Sequence, residues 1–261
     1  LIIAGARQQL LEQSEAELAV TEIQYNIKID QMEFGFRGQS ENTAIISLAD
    51  KVAQNPDEVS NGDRAVVREI LQGEIDARDI EYATLLTPDG RIIANAQTER
   101  TGEEFDPYGL VSQVASGKQQ LKTNGLIDRS ELQQQGIDLS TDVDQVLIRY
   151  VATPVFSQNQ ADRVVGVLIA GDVVNEKTSI VENGVTVFGT GYSAIYTVSA
   201  PDSLALAASA DLDAGSDEVE LGEEVYDESL LISTLQSQDG VTSQRLVEPD
   251  GEAYAMSAKT I

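Results

Sequence analysis

Arg149 and Tyr150 stand inside a run whose other members, Val146, Ile148 and Val151, call for burial. A guanidinium in such a strand either snorkels from a sheet edge or reaches into a polar pocket. There its rigid fork of donors binds a carboxylate in bidentate fashion. Asp172 closes another apolar run, Val164 to Gly171, and either pairs with that arginine or takes a ligand ammonium. A structural Arg149–Asp172 ion pair accounts for the same two residues equally well. Tyr82, Tyr108, Lys122 and Arg129 are further candidates to line a pocket around them. The ligand that such a set selects is anionic or zwitterionic.

Catalysis finds less support. The 261 residues contain no His and no Cys, which removes the commonest general base, the thiol nucleophile and the usual zinc and iron–sulfur ligands. Neither Gly-x-Ser-x-Gly nor Ser-x-x-Lys occurs, and no carboxylate pair stands out, so the chain reads as a non-enzyme without a cofactor. Gly189-Thr-Gly191-Tyr-Ser-Ala194 matches a loose dinucleotide fingerprint. The β-branched and aromatic residues that follow predict a strand and not a helix N-terminus for a pyrophosphate, so a hairpin is expected there. An acidic run from Asp211 to Glu224 offers oxygen ligands, but an EF-hand loop counted from Asp211 puts Gly222 where a bidentate Glu is required. A solvated loop is the expectation.

The elements that would position these residues follow from periodicity. Residues 7 to 54 lack Pro and read as helix, with Leu11, Leu18, Tyr25 and Met32 recurring every seven residues and Ile29 and Phe36 beside them. A second stripe (Ala16, Val20, Ile23, Ile27 and Phe34) lies around the helix from the first. One stripe can face the domain and the other a partner, most simply a second copy in a homodimer. Gly35 and Gly38 are expected to bend or interrupt this helix, and Asn55-Pro56 to end it. A helix follows Asn61-Gly62-Asp63. Strands are predicted at 82–86 and 91–95 around Thr87-Pro-Asp-Gly90, then a helix from Asp106-Pro107 to Gly117. A strand near 119–127, a short helix at 129–135 and strands at 145–156 and 164–171 complete an antiparallel α+β module. After a connector, 173–183, a second module of similar order is expected. Its strands are placed at 184–188, 192–198 and 203–209, its helix at 227–238, and a final hairpin around Glu248-Pro-Asp-Gly251. The expected organisation is a helical stalk and dimerisation segment, 1–55, followed by modules at 56–175 and 176–261.

Composition narrows the partners. With 44 acidic and 17 basic residues the net charge is −27, a field that repels phosphate and excludes nucleic acid binding through a basic face. The chain opens on Leu1-Ile-Ile-Ala-Gly-Ala6, too short for a bilayer span of about 20 residues but suited to the last turns of a membrane helix. It stops at Ile261 within a predicted strand. An excised piece of a longer membrane protein is the expectation.

A long helix followed by two PAS-like sheet modules resembles the double Cache sensor domains of bacterial receptors. The textual cues are Tyr82-Ala-Thr-Leu-Leu-Thr-Pro-Asp-Gly-Arg-Ile-Ile-Ala94, Val165-Gly-Val-Leu-Ile-Ala-Gly-Asp172 and Val185-Thr-Val-Phe-Gly-Thr-Gly191. The resemblance implies a domain outside the cytoplasmic membrane, between two membrane helices of a chemoreceptor, histidine kinase or nucleotide cyclase. It implies a small metabolite bound in the membrane-distal module, 56–175, with Arg149, Tyr150 and Asp172 in or beside the pocket. Ligand binding would then shift the long helices of a dimer. The amino-acid-binding subset carries a Trp in its pocket signature, and this chain has no Trp. A different class of protein, a secreted structural or adhesive acidic α+β protein without a small-molecule pocket, stays open on the sequence alone.

Overall fold

The computed structural model describes residues 2–140, 143–175, 177–189, 191–200, 203–212, 227–237, 240–248 and 253–261. Two compact units emerge, one of residues 28–175 and one of residues 1–27 with 176–261. Residues 249–251 of the expected turn and most of the acidic run 211–224 lie outside the described residues. Among those described, no helix is long and apolar enough to cross a membrane.

Helix α1 runs from Ile2 to Ser40, and α2 from Thr43 to Gln54. The glycines expected to bend or interrupt the first helix do not interrupt it; the break falls at Glu41-Asn42. Gly35 has a different reason: the Arg78 guanidinium occupies the space where its side chain would be. Asn42 caps α2 by accepting from the Ala44 N–H at 3.0 Å. Helix α3, Asn61–Arg78, begins with a reciprocal capping box between Ser60 and Asp63, and the Lys51 ammonium sits 2.6 Å from that Asp63 carboxylate. At its other end Lys28 donates to the carbonyls of Arg78 and Asp79, the last acceptors that the helix leaves unfilled.

Residues 28–175 build on a five-stranded antiparallel sheet of β1 (Tyr82–Leu86), β2 (Ile92–Asn95), β3 (Leu121–Asp128), β4 (Gln145–Phe156) and β5 (Val164–Val173). The order is β2-β1-β5-β4-β3, so the first and last strands pair at the centre. Successive side chains of a strand point to opposite faces, and each face here is covered. On one face Ile29, Met32 and Phe36 of α1, Leu48 of α2 and Leu71 of α3 pack on Leu85, Val151 and Leu168. On the other, helices α4 (Leu110–Gly117) and α5 (Arg129–Gln134) set Val111, Val114 and Leu132 over Tyr82, Tyr150, Ile148 and Ile169. Each wholly buried large apolar side chain contributes about 1.5–3 kcal/mol, so two-sided burial makes this sheet the dominant stabilising feature of the unit. The α+β antiparallel architecture is the one the sequence predicts.

The other unit contains the first part of α1, helix α6 (Ser179–Phe188), a hairpin of β6 (Gly191–Ala200) and β7 (Ser203–Leu212), helix α7 (Glu228–Leu235), and a second hairpin of β8 (Ser243–Val247) and β9 (Tyr254–Ala258). The strand predicted at Gly184–Phe188 is the second half of α6. Its β-branched residues favour a strand locally, but Ile180, Val181, Gly184 and Val185 fall on one helical face and are buried, and packing overrides propensity. Gly189, at φ 76°, ends that helix in the left-handed conformation. The Gly189–Gly191 segment therefore joins a helix to a strand and is not a hairpin turn, nor does it have the strand-to-helix order a dinucleotide needs.

Candidate functional site

The centre of the 28–175 unit is organised around Gly171. It is the register partner of Tyr82 on β1 and of Tyr150 on β4. With no side chain at Gly171, the Tyr82 ring lies over its backbone in the space that a Cβ would need. The Tyr82 and Tyr150 rings meet edge to face, with centroids 6.4 Å apart. Phe105 extends the series beyond Tyr82 at 6.2 Å, and Tyr108 extends it beyond Tyr150 at 6.3 Å. Tyr108 covers Gly125 in the same manner, and its hydroxyl both donates to the Leu126 carbonyl and accepts from the Leu126 N–H at 2.6 Å. Two glycines, on the strands β5 and β3 that flank β4, thus hold a continuous aromatic wall beneath α4 and α5.

A polar chain lies on the same side of the sheet. Buried Asn95 donates to Thr84 at 2.9 Å and to Gln135, and its own oxygen accepts from the Gln97 and Thr98 N–H groups. Gln135 donates to Glu131, which also receives Arg100 at 2.8 Å; Arg100 reaches Glu103 at 2.7 Å. Burial lowers the affinity of the Arg100 guanidinium for its proton, but the bonds to Glu131 and Glu103 outweigh that and leave its pKa raised. Burial pushes the Tyr82 phenol well above its ordinary value, with Tyr150 and the Glu131 charge adding to the rise. Tyr150 is pushed up for the same leading reason. Both phenols stay neutral, as hydrogen-bonding groups and not as bases.

The sequence candidates divide between the two faces. Tyr82, Tyr108 and Tyr150 come together. Arg149 and Asp172 face the other side, the side of Val151 and Ala170, because neighbours in a strand alternate. They are register partners in the two strands nearest the middle of the sheet, so Arg149 does not snorkel from an edge. Both side chains are fully buried, and the Asp172 carboxylate accepts from the Arg149 Nε at 2.7 Å and from its Nη2. Lys122 also lies on the Val151 side, half-exposed, bound to Asp30 at 2.6 Å and Glu33 at 3.2 Å on α1. Its pKa is raised by those carboxylates, the Asp30 hydrogen bond first. Arg129 opens α5 and donates to the Leu139 carbonyl at 3.2 Å. Asn95, Glu131, Gln135 and Arg100 are the residues that sequence reasoning passed over. Asn95 alone carries a signal, a polar residue closing an otherwise apolar strand.

No family model matches the sequence, and no curated protein matches it. Among solved structures the chain is similar to the sensor domain of the histidine kinase DctB of V. cholerae, with a TM-score of 0.52 at 16% identity over 75% of this chain and 66% of that one. The chain therefore spans just under two thirds of that sensor domain. It is also similar to the periplasmic domain of Vibrio cholerae LuxQ, with a TM-score of 0.49 at 12% identity over 95% of this chain and all of that one. For the sensor domain of E. coli DcuS the TM-score is 0.27 at 14% identity, over 56% of this chain and 99% of that one. At these identities the likeness is one of fold. The chain shares the α+β fold of a histidine-kinase sensor domain, as its resemblance to double Cache sensors implied.

Proposed function

We propose that this chain is an extracytoplasmic ligand-sensing domain of a transmembrane receptor, non-enzymatic, with residues 56–175 as its membrane-distal module. The observation that carries this reading is the fold shared with the DctB sensor domain. The aromatic wall around Gly171 is where a small organic ligand would be recognised: Tyr108, 56% exposed, is its open end, and Tyr82 and Tyr150 lie buried behind it. Ring faces supply apolar contact, and the Tyr82 and Tyr150 hydroxyls and the Glu131–Arg100 pair supply polarity. Arg149 and Asp172 serve this site from behind, fixing the register of the strands that bear the tyrosines.

Signalling requires a ligand to favour one arrangement of the receptor over another, and a dimer through α1 would carry that preference. Ile23, Ile27 and Phe34 lie along one face of α1 and are 56%, 42% and 78% exposed. This is the stripe expected of a homodimer seam. Phe34→Glu should leave folding intact and abolish self-association in sedimentation equilibrium; an unchanged mass distribution would remove the seam.

A thermal-shift screen of organic acids, amino acids and amines against the 261-residue chain tests the sensing role. Hits are then repeated on Tyr150→Phe and Tyr108→Phe variants. A stabilising ligand whose effect shrinks in these variants supports the reading. Silence across every class defeats it.

A further inference from the structure

Among the described residues, the unit of residues 1–27 and 176–261 carries two separate strand pairs where the other has a single five-stranded sheet. In residues 28–175 the first and last strands, β1 and β5, are hydrogen-bonded. Among the described residues of the smaller unit, its first and last strands, β6 and β9, sit in separate two-stranded sheets, β6 bonded to β7 and β9 to β8. A cavity of about 600 Å³ opens where β6 and β9 face each other, walled also by α1 and α7. That volume falls within the range of small-molecule sites, roughly 300–1,000 Å³. Its apolar lining includes Leu18, Ile195, Leu231 and Met256.

Most of the polar groups around this cavity are satisfied internally. Thr21 bonds Ser193 at 2.8 Å, Ser14 bonds Ser257 at 2.8 Å, and the Tyr192 and Tyr196 hydroxyls meet at 2.7 Å. Glu22 is neutralised by Lys259, which reaches its two oxygens at 2.6 and 2.7 Å. Glu17 is the exception. Its carboxylate receives Gln13 at 2.9 Å and, among the described residues, has no cation within ion-pair distance. It lies beside Gly191, where β6 begins; a Cβ there would come within 3.3 Å of its Oε2. Burial raises its pKa, the mark of a carboxylate partly stripped of water without a compensating charge. An ionised carboxylate has room for about four hydrogen bonds.

We infer that this cavity is a second binding site, separate from the aromatic wall proposed above, for an amphipathic organic amine. An ammonium head group would bond to Glu17, and an apolar body would fill the space between β6 and β9. An anion is disfavoured by Glu17 and by the net charge of −27. A neutral guest would desolvate Glu17 further without pairing it.

The probes are hexylammonium, hexan-1-ol and hexanoate, titrated calorimetrically into the 261-residue chain. Hexylammonium should bind saturably and hexanoate not at all. Glu17→Gln, which preserves shape, should weaken hexylammonium by about tenfold to a hundredfold, as loss of a charge-assisted hydrogen bond implies. The hexan-1-ol result should be unmoved by that variant. Amide shift mapping on the wild-type chain locates the amine independently, with changes expected at Tyr192, Ser193 and Ile195. No binding of hexylammonium, equal binding by hexanoate, indifference to Glu17→Gln, or shifts confined to residues 28–175 would each overturn the proposal. The last outcome would do so without harming the sensing role of the aromatic wall.

Discussion

Replacing Asp172 with Asn removes one charge from the centre of the larger unit while keeping shape. Arg149 and Asp172 have no exposed side-chain surface, and two guanidinium nitrogens converge on one carboxylate oxygen. At an effective dielectric near 20 the attraction of unit charges about 4 Å apart is about 4 kcal/mol. Much of that only offsets the cost of taking both ions out of water, so the intact pair adds little net stability. Breaking it is another matter, because the buried guanidinium loses the Asp172 charge, and the expected loss is about 3–5 kcal/mol. With a urea m-value of about 2 kcal/mol/M, the midpoint of unfolding should fall by about 1.5–2.5 M. Tyrosine fluorescence reads the transition cleanly, since the chain has no Trp. The joint replacement Arg149→Met with Asp172→Leu should recover at least half of the loss, because it removes both ions. A loss below about 1 kcal/mol for Asp172→Asn would refute the structural assignment of the pair and return Arg149 to the ligand site.

Other expectations follow from single positions. Gly171→Val puts a side chain where the Tyr82 ring lies, and should cost about 1–3 kcal/mol with loss of the near-ultraviolet tyrosine circular dichroism. Gly73, inside α3, has nothing within 4 Å of the position its Cβ would take; Gly73→Ala should therefore raise stability by about 0.5–1 kcal/mol in urea titration. The Asp63 pKa is held down to about 2, first by the Lys51 hydrogen bond and then by those of Ser60. Because the folded value is depressed, this contribution is present above the ordinary pKa of 3.8 and is lost as pH falls through about 2. Acid titration of wild type against Lys51→Met should show a shallower decline for the variant, and parallel curves would contradict the assignment.

The legible parts of the fold were those decided locally. The strand 145–156 coincides with β4, because an apolar run bounded by turn residues leaves little choice. Gly184–Phe188 misled, because Val-Thr-Val-Phe has the local preference of a strand while its helical face is created only by packing. Arg149 and Tyr150 were grouped as pocket companions although the alternation of a strand already separates neighbours. Gly35 reads as a point of bending and Gly171 as an ordinary strand position; each instead makes room for a side chain distant in sequence, Arg78 and Tyr82. Glu17 carried no sequence signal at all. Its significance depends on Gly191 and on a gap between β6 and β9, neither of which exists until the chain has folded.

The interrupted chain course of the smaller unit has a consequence for synthesis. Its first 27 residues precede the whole of residues 28–175, and the rest follows them. A ribosome adding about 5–20 residues per second delivers the intervening stretch over roughly 7–30 s. All five strands of the larger sheet exist by then, and that unit folds on microsecond-to-second timescales, so it is finished before its neighbour can begin. For the same interval the first turns of α1 await strands not yet translated. The Gln and Glu set between their apolar residues hold down aggregation in the meantime.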